Sequence, residues 1–172
     1  TRSSVQILRV AEPAVNLAWA ANPPSTTLEG VEHFILQYPD GEYDAECLLV
    51  DPLSGILYIL TKQNWTRLYG VQLAGASSGE TLVLEFLGIV PFADVSGGDV
   101  SPDGTQIALR REEAAMLWPR CNPEDLALTL GFFGEIIPVL GPPEEPNGEA
   151  LGFLRDNLGY VTIREGAYPF IY

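Results

Sequence analysis

A strand-and-turn unit that recurs about every 50 residues constrains this chain most, because such a unit folds only by stacking on its neighbours. Its three copies are Asp40–Lys62 (DGEYDAECLLVDPLSGILYILTK), Val95–Arg111 (VSGGDVSPDGTQIALRR) and Pro146–Glu165 (PNGEALGFLRDNLGYVTIRE). Each runs from an acidic residue through small or apolar residues to a tight turn, then returns along an alternating strand. The acidic anchors are Glu46, Asp99 and Glu149. Turns such as DPLSG and SPDG use Asp and Gly for the backbone conformations they supply. The pattern predicts an all-β, β-propeller-like fold of about three four-stranded blades, an incomplete propeller. The blade-like units fall at 31–75, 81–120 and 126–172, with 1–30 as an N-terminal strand and loop. Arg67–Ala74 and Thr81–Gly88 supply outer strands. A β-sandwich with similar hairpins is the alternative.

Composition agrees with one packed domain of short elements. The chain has 172 residues, 47% of them hydrophobic, and its 17 Gly and 14 Pro demand many turns. Helical periodicity is nearly absent. Glu112–Trp118 is the best candidate, one or two turns stopped by Pro119. The net charge of −14 argues against a phosphate backbone or an anionic membrane surface as partner. No apolar run approaches the roughly 18 residues that span a bilayer. One His (His33) and one Lys (Lys62) leave a single candidate for each catalytic role that needs them. His33 lies in the strand-like VEHFILQY, where a packed or exposed role outweighs that of a base, which needs an oriented partner.

Cys47 and Cys121 lack the C-x-x-C spacing of thiolate metal sites. They form one disulfide, or they are two small buried thiols. Asn64-Trp65-Thr66 is an N-glycosylation sequon placed between two strand-like runs. It points, with the acidic surface, to a secreted or cell-surface protein. The start at Thr1 fits N-terminal processing or a fragment. Trp19–Gly30 reads as a linker or outer loop. Tyr168, Phe170 and Tyr172 alternate as on a closing strand, or on one that adds to a neighbour's edge.

The three units resemble a widespread family of uncharacterised bacterial and eukaryotic β-propeller proteins. YPDGEYDAECLLVDPLSGILYILTK is similar to its DAEALLVDP…TK element. GGDVSPDGTQIALRREEAAMLW is similar to its GADISPDG…ALR element, and NGEALGFLRDNLGYVTIREG to its GEAIAF…SEG element. The resemblance covers roughly Ile7 to Tyr172 in matching order. The family's earlier WEDIA-type and DIGDN-type elements do not occur here. The resemblance therefore implies the C-terminal part of a propeller, whose edges need further blades or another chain. More distantly, the repeat resembles calcium-dependent propellers with phytase-like or lactonase-like activity, an analogy of fold alone.

In a propeller, Glu46, Asp99 and Glu149 converge at one mouth, with Asp44 close by. Converging carboxylates need a cation, protons or basic partners. Ca²⁺ is the natural cation, with its 6–8 oxygen ligands. Otherwise each carboxylate accepts backbone N–H bonds from the adjacent blade. The leading expectation is a noncatalytic extracellular module for self-assembly or ligand binding, with a homo-oligomer or partner chain covering its edges. The alternative is a Ca²⁺-dependent hydrolase of phosphate esters or lactones.

Overall fold

The computed structural model describes residues 1–172 except 15, 17, 18, 20–23, 121–124, 142, 143, 146 and 167–170. The chain is all-β, built from several antiparallel sheets, and no sheet closes on itself among the described residues. The strands are β1 (Ser4–Arg9), β2 (Glu32–Gln37), β3 (Ala45–Val50), β4 (Ile56–Thr61), β5 (Thr66–Gln72), β6 (Thr81–Val83), β7 (Glu85–Val90), β8 (Gly97–Val100), β9 (Gln106–Arg111), β10 (Ala114–Pro119), β11 (Glu135–Ile137), β12 (Gly148–Phe153) and β13 (Tyr160–Arg164).

These make four sheets. The first is β1-β2-β6, with β2 and β6 parallel. The second is the four-stranded antiparallel β3-β4-β5-β7, and the third the four-stranded antiparallel β8-β9-β10-β11. The fourth pairs β12 with β13. Ile171 bridges Ile163 there, and Tyr172 exchanges two backbone hydrogen bonds with Thr162.

The alternation of side chains stacks the sheets in chain order. In β4, Leu57 and Ile59 point to one face and Tyr58 and Leu60 to the other, and all four are buried. The first face closes on Phe34, Leu36 and Leu84 beside the first sheet. The second closes on Ile107, Leu109 and Trp118 of the third sheet. A strand buried on both faces reads as the continuous apolar run ILYIL. Each fully buried Leu or Ile contributes about 1.5–3 kcal/mol. β9 repeats the arrangement: Ile107 and Leu109 face the second sheet, while Ala108 meets Leu151 of the fourth.

One expectation needs correction. Glu112–Trp118 is not helical: Glu112 and Glu113 form the turn of a hairpin, and β10 pairs with β9 and β11 on its two sides. That pairing buries Ala115 and Trp118 and overrides local propensity. The helix among the described residues is one short turn, α1 (Leu126–Leu130), capped by the Asp125 side chain on the Ala127 N–H. Apart from β6, the sheets follow one another along the chain. The second and third run from Ala45 to Val90 and from Gly97 to Ile137, and the fourth begins at Gly148. Each starts at its acidic-anchor strand, and β2 pairs with β1 and β6 instead of joining β3.

Candidate functional site

β8 lies between β3 and β12, so the three anchor strands run side by side. Glycine permits this approach. A Cβ on Gly97 would collide with the backbone of Glu149, and one on Gly98 would lie 2.6 Å from the Ala108 carbonyl oxygen.

The structure divides the three anchors. Glu46, in β3, and Glu149, in β12, meet at Lys62, which follows β4. The Lys62 ammonium donates to Glu46 Oε2 at 2.6 Å and lies 3.9 Å from Glu149 Oε1. The bond to Glu46 raises the Lys62 pKa; burial opposes this, and the charges of Glu149, Glu46 and Asp44 add to the rise. Burial pushes the Glu149 carboxyl above its ordinary value, against the pull of Lys62; Glu46 and Glu165 add to the rise. Asp99 turns elsewhere. Its Oδ1 accepts the Val100 N–H at 2.9 Å, and its Oδ2 accepts the Phe153 N–H of β12 at 2.8 Å. Asp99 is thus a clasp between sheets. Among the described residues, no group of three or more His, Cys, Asp or Glu side chains gathers at metal-binding spacing.

Beside Lys62 and Glu149 opens a cleft of about 360 Å³, lined further by Asp94, Ser96, Arg111 and Glu112. It alternates both signs of charge. Such a surface holds neighbouring sheets by ion pairs, and its carboxylate excess faces solvent.

Among the described residues, two ion pairs are buried. Arg110 Nη1 donates to Glu145 Oε1 at 2.9 Å, and both side chains are fully buried. Thr162 Oγ1 donates to the second Glu145 oxygen at 3.0 Å. Gly148 lies directly against the guanidinium, leaving no space for a Cβ. Glu145 is thus fully buried, although its local sequence, Glu144-Glu145-Pro146, is one that solvated loops carry. Arg120 donates to both oxygens of Asp51 at 2.8 and 3.1 Å. Asp51 also holds its own turn, accepting from Ser54 Oγ and the Leu53 N–H. Burial works against the Asp51 carboxylate, but the bonds from Arg120, Ser54 and Leu53 outweigh it and hold its pKa below the ordinary value. The available signals were faint: an Arg inside a strand, and an Asp that a turn already explains.

The remaining candidates fall as follows. Cys47 is a free, buried thiol, and burial raises its pKa strongly. Cys121, Tyr168 and Phe170 lie outside the described residues. His33 stands in β2 opposite Leu8. Asn64 is exposed in the bend between β4 and β5.

Among the described residues, both ends of the stack present open faces. Direct pairing places Leu8, His33, Ile35 and Val83 on the outward face of the first sheet, interspersed with Ser4, Gln6, Gln37 and Thr81, with Leu8 65% and Val83 63% exposed. On the fourth, Ala150, Ile163 and Ile171 share the face turned away from Leu151, and Ile171 is 70% exposed. No protein-family model matches the chain, and no curated protein matches it.

Proposed function

We propose that this chain is a noncatalytic, extracellular β-propeller-type module that assembles head to tail with copies of itself. The observation that carries the reading is the stack of sheets with, among the described residues, a face open at each end, mixed on the first sheet and apolar on the fourth. The second and third sheets have the four antiparallel strands of propeller blades, with β3 and β8 as inner strands. The first sheet of one copy against the fourth of the next is a heterologous contact, which closes a ring or grows a filament. Lys62 between Glu46 and Glu149 serves as internal glue.

Two variants test this. Val83→Lys spoils the first face, and Ile163→Lys spoils the last. Each alone is expected to sediment as a monomer, and a one-to-one mixture as a dimer through the two intact faces. Variants that keep the parent's mass, or a mixture that stays monomeric, contradict head-to-tail assembly.

The second reading, a Ca²⁺-dependent hydrolase, draws support from Glu46 and Glu149 converging with Asp44 nearby. A cation there would compete with Lys62 for Glu46, and each Asp99 oxygen already accepts one backbone N–H. Phosphatase or lactonase activity that a chelator abolishes would favour this reading over assembly.

A further inference from the structure

The sequon Asn64-Trp65-Thr66 spans the β4–β5 hairpin, and the fold treats its two functional residues oppositely. Asn64 is exposed, and no hydrogen bond holds its amide among the described residues. Thr66 is fully buried. Its hydroxyl donates to the Phe92 carbonyl at 2.7 Å, its backbone pairs with Val90 of β7, and the next N–H, of Arg67, donates to Thr61 Oγ1. A glycosyltransferase that reads this triplet must reach the hydroxyl as well as the amide.

We infer that Asn64 is an N-glycan acceptor used only before β5 closes onto β7. This rests on the extracellular reading above. The donor is a lipid-pyrophosphate-linked oligosaccharide. The Asn64 amide nitrogen bonds to C1 of the first sugar as the C1–O bond to pyrophosphate breaks. The lipid pyrophosphate leaves with the bonding electrons, and the amide releases one proton. Once the hairpin is in the sheet, acceptance requires the Thr66–Phe92 bond and the β5–β7 pairing to open together. The folded protein then carries the sugar but no longer accepts it.

The position suits the assembly as well. The second sheet is covered on both faces, so a sugar on its hairpin tip projects beyond the strand ends, two residues from Lys62. It leaves the two open faces clear. Trp65 beside it is 75% exposed and offers an aromatic face to the first sugar.

The test supplies a secretory leader and translates the chain with endoplasmic-reticulum microsomes. One glycan mass is expected, removable by peptide N-glycanase and absent in Asn64→Gln. Purified folded protein and the peptide 61–68 are then each given solubilised oligosaccharyltransferase and the lipid-linked donor. The folded chain is expected to accept at least tenfold more slowly than the peptide. Equal rates overturn the sequestration of Thr66. No transfer to the nascent chain or the peptide overturns Asn64 as acceptor. Because the leader is supplied, neither outcome depends on where the natural chain resides. Finding that chain inside the cell would refute the extracellular reading alone.

Discussion

Glu145→Gln removes the negative charge from a pair that water does not reach. Arg110 and Glu145 are fully buried, and their 2.9 Å contact spans from β9 to the loop before β12. The guanidinium has other acceptors, the carbonyls of Ala150, Glu112 and Leu140, but at 3.4–3.5 Å they are long. Its Nε has no hydrogen-bond partner among the described residues. The cation in the variant is therefore buried beside neutral oxygens only. Breaking a buried pair from one side costs about 3–5 kcal/mol, and the retained amide oxygen places this change near 3. For a chain of this size that is a fall in Tm on the order of 10 °C. Urea unfolding should show the midpoint falling with the slope unchanged. Replacing both partners (Arg110→Met with Glu145→Met) should cost less than either single change, because no charge is left stranded. A Glu145→Gln variant within about 1 kcal/mol of the parent would refute the claim that this pair fastens the third sheet to the fourth.

Asp51 has a lowered folded-state pKa, so its contribution is fully present above the unfolded value of about 4 and is lost as pH falls through the lower folded value. Urea midpoints should therefore drop below pH 4, and Asp51→Asn should flatten that drop; an unchanged slope would contradict the Arg120 pairing. Gly97→Ala forces a Cβ into the Glu149 backbone and should cost about 1–3 kcal/mol, whereas a neutral result would mean that β8 and β12 stand farther apart. Lys62→Met removes the cation that holds down Glu149, so carboxyl NMR should show the already raised Glu149 pKa rising further. Stability should change by only about 1 kcal/mol, since the group is partly exposed. An unmoved Glu149 titration would mean that Lys62 does not face it in solution.

The repeat was legible because strands and turns leave local marks. ILYIL marked a strand, though its reading as an alternating one did not foresee that both faces are covered, and SPDG and DPLSG placed their hairpins between β8 and β9 and between β3 and β4. Anchor spacing brought Glu46 and Glu149 together. It did not indicate that Asp99 would turn to a backbone N–H of β12, since that depends on the approach allowed by Gly97 and Gly98. EEAAMLW misled because Glu, Ala, Met and Leu favour helix locally, while the strands on either side decided the outcome. Glu145 was illegible for a similar reason. Its partner lies 35 residues earlier in the chain, and nothing local distinguishes a buried Glu beside proline from a solvated one.

Light scattering on the purified chain through a dilution series tests head-to-tail assembly most directly. The account predicts masses at multiples of 18.7 kDa that grow with concentration or settle at a closed ring. A mass of 18.7 kDa at every concentration would contradict it, because both open faces would then be stable in water alone.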